Sequence, residues 1–555
     1  MDNRIMRTPT QETVVYSKES LTTENRLEII DEGIRKKYLA RLSEMKIAPI
    51  GELPPLEEDL INNVRLYRIQ EMVYRKGEPV TDKFTTVFNT LSTYNATVFI
   101  LIDSDGKQTQ FYIGVRNNEP DESANKRSTV TLGDTLKQTL IGHFPGIKIV
   151  NEDRKRIAQL SDKISKRTNV TSVSVVGNSK SGKDVSNEQF VQGLEKLALA
   201  MSGRPFTGLL IANNQSPQSI QILRKNYQDL YTKLSPYQKV QTSDNTSTST
   251  SRQKSFSEMD GKQKAAMIGG AAVSLGGAIL GAVAQEGGSI AGAMIGSQVA
   301  GQLNGFINSL APNEQITRTS SVTNSTTVEN KTVTDMLALL DALLKKTDEY
   351  DSYGMWNVAG YFVSDDMSAA EIAASNYRSL MNGENSGREV SAINSWRKNN
   401  RENLGDFSDL TTYLSRYVHP QFCYGGEALL VDAATSVSGK ELGLHLGLPR
   451  ATVPGLPVIE HAEFGKEVNS YQLIKQASTG RPEDRITIGK IFDLGQITNK
   501  VVELDNRSLN MHTFITGSTG SGKSRRCGRC GCRIGSLRYR RGTGCRRCGV
   551  PGRTG

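Results

Sequence analysis

MHTFITGSTGSGKS, residues 511–524, decides how this chain is read. It contains G-x-x-x-x-G-K-S as Gly517-Ser518-Thr519-Gly520-Ser521-Gly522-Lys523-Ser524, directly after the β-prone run Thr513-Phe514-Ile515-Thr516. Strand followed by this spacing is the signature of a Walker A phosphate-binding loop. Glycines at 517, 520 and 522 let the backbone wrap so that several N–H groups point at a triphosphate. Ser518, Thr519 and Ser521 are small enough not to block it. Lys523 is placed to reach the β- and γ-phosphates, and the Ser524 hydroxyl to hold a magnesium ion. The expected cofactors are therefore ATP and Mg2+, with residues 511–524 opening an ATPase domain.

The segment after Ser524 breaks that pattern. Residues 525–555 hold ten Arg, eight Gly, five Cys and no acid. Glycines at 528, 531 and 535 each cost about 1 kcal/mol in the helix that should start here. Two readings stand side by side. One is out-of-frame translation or truncation after Ser524, leaving a disordered tail. The other is a zinc site, since Cys527-x2-Cys530 and Cys545-x2-Cys548 approach ribbon spacing and their Arg-rich flanks suit a nucleic acid.

The tail also distorts the charge balance. The chain of 555 residues carries a net +10, yet before residue 525 basic and acidic side chains number 58 each. A globally basic DNA-binding body is excluded, and any such face must be local. Cys423 is the single cysteine before the tail, which points to a reducing compartment without a disulfide framework. The start, MDNRIMRTPTQ, lacks the apolar run of a secretory signal. The expected location is cytoplasmic.

Seven segments are expected. Residues 1–80 read as helical, with Leu27, Ile30, Ile34 and Leu39 on one face and Ile61, Val64 and Met72 on another. Residues 81–239 alternate strand and helix, beginning with a hairpin over Ala96–Arg116 that turns at Ser104-Asp105-Gly106-Lys107. Within this part, Gly177-x4-Gly182-Lys183-Asp184 imitates a phosphate loop. Asp184 would set a carboxylate where a neutral hydroxyl is needed, so it reads as a solvated loop.

Residues 240–333 read as a Ser/Thr-rich insertion whose outer parts are linkers or a two-stranded ribbon. At its centre, 265–311, small residues recur every fourth position, as at Gly277 and Gly281 or Gly288, Gly292 and Gly296. That spacing suits close helix packing. The helical hairpin it predicts either packs in an oligomer or meets a membrane. Residues 334–440 resume the α/β style, with Thr334 as a helix cap, a strand at WNVAGYFV, a helix at 367–382 and a polar loop with a surface helix over 382–403. Residues 441–510 read as a strand-rich module. His143, His419, His445, His461 and His512 have no second ligand at a useful spacing and read as structural. The fold class expected is α/β, with an α+β N-terminal part.

The succession LGLPRATVPGLPV, ITIGKIFDLG and VVELDNRSLNMHTFITGSTGSGKS, within residues 441–524, resembles ATPases of the HerA/FtsK superfamily. The resemblance implies a RecA-like fold from residue 511, a hexameric homo-oligomeric ring, and ATP-driven movement of DNA or protein. The family's Walker B acid and arginine finger lie downstream of this loop, and residues 525–555 offer no match. The chain as written is therefore expected to bind ATP but hydrolyse it poorly. Two other functions remain open. One is a membrane-associated assembly protein acting through 265–311; the other is a zinc-tailed nucleic-acid binder.

Overall fold

The computed structural model describes residues 23–50, 54–75, 78–119, 128–178, 192–242, 326–383, 386–401, 403, 405–424, 429–461, 485–493 and 496–505. They fall into two units, residues 1–460 and 461–555.

In the first unit, the elements through the insertion are α1 (Thr23–Ile34), a 3-10 helix (Lys37–Glu44), β1 (Lys46–Ile47), α2 (Leu56–Asn63), β2 (Val64–Arg75), α3 (Val80–Leu91), β3 (Ala96–Ser104), β4 (Thr109–Asn117), α4 (Thr129–His143), β5 (Lys148–Asn151), α5 (Arg154–Ser165), β6 (Asn169–Ser174), α6 (Leu194–Ala200), β7 (Phe206–Gln215), α7 (Pro217–Leu234) and β8 (Lys239–Thr242). After it come β9 (Thr326–Glu329), α8 (Lys331–Tyr353), β10 (Met355–Ser364), α9 (Met367–Met381), β11 (Ala392–Arg397), α10 (Phe407–Ser415), β12 (Phe422–Tyr424), β13 (Leu429–Val431), β14 (Thr435–Ser438), α11 (Gly439–His445) and β15 (Val458–His461).

Strand β10 shows why the sheet is buried on both faces. Ala359, Tyr361 and Val363 join one apolar cluster, while Trp356, Val358 and Phe362 join another. Successive side chains on a strand point to opposite faces, so a continuous apolar run requires a cover on each. Helices α5, α7, α8 and α10 supply one cover, and α3, α4, α6, α9 and α11 the other. Each fully buried Leu or Phe of these layers contributes about 1.5–3 kcal/mol. The strand order is β11-β6-β10-β7-β3-β4-β2-β15, with β14 on β10 and β5 on β2. The pairings from β11 through to β2 are all antiparallel. The protein is thus mixed α and β around an antiparallel sheet.

The hairpin over 96–116 forms as expected. Asp105 Oδ1 accepts from the N–H groups of Lys107 and Gln108, both at 2.7 Å, and Gly106 takes φ 88°, which glycine adopts without penalty. The base of the insertion pairs as a ribbon, β8 against β9, from Lys239↔Glu329 to Thr242↔Thr326. The helical hairpin expected at 265–311 lies outside the described residues. Among those described, no helix is long and apolar enough to cross a membrane.

Four local expectations give way. Ile61 lies on α2, but Val64 and Met72 belong to β2; Arg65, Arg68 and Glu71 interrupt the apolar residues at spacings that imitate a helix. Helix α8 is capped by Asn330, whose side chain accepts from Val333 N, not by Thr334, whose hydroxyl donates back to the Asn330 carbonyl. The polar stretch 382–403 contains β11 at the edge of the sheet, with Trp396 buried. Residues 441–445, expected as the start of a strand-rich module, belong instead to α11 (Gly439–His445), behind a capping box of Ser438 and Glu441.

In the second unit, β16 (Arg485–Asp493) and β17 (Gln496–Asp505) make an antiparallel hairpin, in keeping with the strands expected there. Phe492 and Ile497, cross-strand partners, are both exposed.

Candidate functional site

The residues that carry the nucleotide motif, Gly517, Ser518, Thr519, Gly520, Ser521, Gly522, Lys523 and Ser524, lie outside the described residues, as do Cys527, Cys530, Cys545 and Cys548. Asp505, at the end of β17, is the last described residue before them. Among the described residues no group of three or more His, Cys, Asp or Glu is placed to hold a metal. The chemistry within the first unit lies in three buried polar constellations, each assembled from separate segments of the chain.

The first concerns the imitation loop. Gly177 is buried, and its N–H donates to His445 Nε2 at 2.9 Å. That leaves Nε2 as the acceptor, so the ring proton sits on Nδ1 and donates to the Tyr377 hydroxyl at 2.7 Å. Burial, with the Lys346 charge adding to it, lowers the His445 pKa to about 3. On the other face of the sheet, His419 takes the opposite tautomer. Its Nε2–H donates to the Asn357 carbonyl at 3.2 Å and its Nδ1 pairs with the Tyr361 hydroxyl at 2.9 Å. Burial holds its pKa below the usual histidine range, against the pull of Asp432 and the Asn357 bond.

Gly177 is therefore a glycine because a histidine ring packs on it. A Cβ there would sit 2.6 Å from His445 Nε2. Gly177→Ala is expected to destabilise the protein by about 1–3 kcal/mol. Gly142→Ala, where nothing lies within 4 Å of the added carbon, should be neutral or stabilising, since alanine is the better helix former. Paired thermal melts check the contrast.

The second constellation is a buried Arg–Asp–Arg cluster. Arg116 binds Asp59 bidentately, Nη2 to Oδ1 at 2.8 Å and Nη1 to Oδ2 at 3.1 Å. Arg416 Nη1 reaches Oδ2 at 2.8 Å, and Asn63 donates to Oδ1 at 2.8 Å. Burial acts to raise the Asp59 pKa, but the Arg116 charge and these hydrogen bonds outweigh it and hold it below the usual range. Arg416 also donates to the Pro54 carbonyl at 2.7 Å. The cluster ties α2, β4 and the end of α10 together.

The third lies where β6 gives way to β14 along β10. Gly360–Ser364 pair with β6, and Met355–Val358 with β14. At that handover a cleft of about 280 Å3 opens, lined by Val176, Asn178, Lys345, Lys346, Glu349, Glu389 and Glu441 among others. Beneath it runs a charged network. Lys36, held at φ 50°, places Nζ 3.3 Å from Glu389 Oε2 and 3.3 Å from Ser436 Oγ. Lys346 lies 3.1 Å from Glu441 Oε2 and donates to the Ser436 carbonyl. Burial raises the Glu441 pKa against the pull of Lys346 and the Ser438 N–H. One signal for this region is legible in the chain itself: Ser438-x-x-Glu441 is a capping box in sequence.

No protein-family model matches the chain, and no curated protein matches it.

Proposed function

We propose that the chain binds ATP with magnesium through Gly517–Ser524, as part of a HerA/FtsK-like translocase that assembles as a homo-oligomeric ring. The observation that carries this is the complete G-x4-G-K-S motif on a β-prone run. The donor set suits the ligand. Three glycines without a Cβ free the backbone N–H groups, one ammonium at Lys523 meets phosphate charge, and one neutral hydroxyl at Ser524 meets a hard cation. The imitation loop at 177 is a weaker candidate for nucleotide, since the N–H of its first glycine is already committed to His445.

The test is titration of the full chain with a fluorescent ATP analogue, with and without Mg2+. Lys523→Ala is expected to weaken binding by at least about tenfold, and Ser524→Ala to remove most of the magnesium dependence. Wild-type protein that shows no binding at millimolar nucleotide, or a Lys523→Ala variant that binds equally well, would sink the proposal. The polymer to be moved, DNA or protein, rests on the family resemblance alone.

A further inference from the structure

We propose that the cleft at the β6–β14 handover is a binding site for a small zwitterion, a molecule of free amino-acid size with an ammonium group at one end and a carboxylate at the other. Most charges around the cleft are already matched. Lys36 neutralises Glu389 and Lys346 neutralises Glu441. The charged groups still open on the cleft wall are Lys345 and Glu349. Neither makes an ion pair or hydrogen bond among the described residues. One spare cation and one spare anion favour a ligand that carries both signs and no net charge.

A second observation points to the ligand's donor end. Glu389 is 93% buried, and its Oε2 has no hydrogen-bond partner. Lys36 is close enough to balance its charge but is not aligned to donate to it. A buried carboxylate oxygen without a donor is costly and uncommon, and Glu389 is among the residues that line the cleft. A ligand ammonium or N–H satisfies it.

A third group has the same character. The backbone of Asn178 is fully used: its N–H donates to the Met381 carbonyl, and its carbonyl accepts from Gln192. Asn178 lines the cleft, and its side-chain amide has no partner among the described residues. It can donate to a carboxylate or accept from an ammonium.

Size and rigidity fit the same ligand. About 280 Å3 is at the lower limit of ligand pockets, near 300 Å3, which admits an amino acid and rejects a nucleotide. The floor is fixed, because Ser436 accepts through its carbonyl from both Lys346 and Tyr350. Lys36 holds a left-handed backbone that a non-glycine residue adopts only under constraint.

The experiment uses the full chain and saturation-transfer NMR against L-alanine, L-glutamine, L-glutamate and L-lysine, with sodium acetate and methylammonium as single-charge controls. The expected result is binding of at least one amino acid, with both controls at least about tenfold weaker. Lys345 is exposed, so Lys345→Glu should fold. It is expected to weaken binding about tenfold or more, as is Glu389→Gln. If no amino acid binds at 10 mM (roughly the weakest useful affinity), the proposal is overturned. It is overturned equally if acetate or methylammonium binds as well as the amino acids, or if Lys345→Glu leaves the affinity unchanged.

Discussion

Asp59→Ala is expected to destabilise the first unit by about 3–5 kcal/mol, the range for breaking a buried ion pair by removing one partner. The reason is the arithmetic of charge. One carboxylate serves two guanidinium groups, and all three side chains are at least 91% buried. Removing it leaves two like charges facing each other without compensation. Arg116 Nη2 loses the Asp59 oxygen it donates to, whereas Arg116 Nη1 keeps the Arg416 carbonyl and Arg416 Nη2 keeps that of Pro54. Arg116→Met should cost less, because Asp59 keeps Arg416 and Asn63. Urea unfolding followed by tryptophan fluorescence is the direct assay. Both tryptophans of the chain, Trp356 and Trp396, are buried in this unit. Equal midpoints for wild type and Asp59→Ala would show that the cluster contributes no net stability.

Mild acid should weaken the same unit through His445. Its folded pKa of about 3 lies below the ordinary 6.5, so between those values the unfolded chain binds the proton and the folded chain does not. Stability is therefore full above about pH 6.5 and is lost as pH falls through that window, by about 1.4 kcal/mol per unit, or about 2 kcal/mol at pH 5. The geometry supplies the cause. A proton added at Nε2 would point at the Gly177 N–H, donor against donor, in a buried low-dielectric site. His419 titrates in the same direction. In His445→Gln the slope of stability against pH between 6.5 and 5 should fall by about one proton, with the His419 contribution remaining. An unchanged slope would rule out the assignment. Asp59 acts lower down: its depressed pKa contributes stability above the ordinary 3.8 that is lost as pH falls further.

Those two clusters are invisible in the sequence for the same reason. Asp59, Arg116 and Arg416 come from three distant segments, as do Gly177, Tyr377 and His445, and no local pattern links them. Local patterns are readable where one physical signal dominates. Asp105-Gly106 between two apolar runs marks the β3–β4 hairpin, and the leucines at helical spacing mark α8. Strand β2 imitates a helix because it is covered on both faces while three charged residues break its apolar run. Strand β11 imitates a surface loop because half of AINSWR is polar, as an edge strand permits. The phosphate-loop motif is legible for a further reason: its chemistry is written in consecutive residues. The cleft is its opposite, assembled from Asn178, Lys345, Glu389 and Glu441 on separate elements.

The position of β10 bears on how the chain is made. It lies between β6 and β7, yet in sequence it follows both and comes after the whole insertion. During synthesis β6 and β7 emerge long before their shared neighbour. At roughly 5–20 residues per second, the gap lasts on the order of ten seconds or more. Throughout it, both edges of β6 and one edge of β7 have no partner, since β11, the other neighbour of β6, comes later still. Such edges are templates for pairing with another chain, so the nascent protein is most open to misassembly on the ribosome, before Met355–Ser364 closes the sheet.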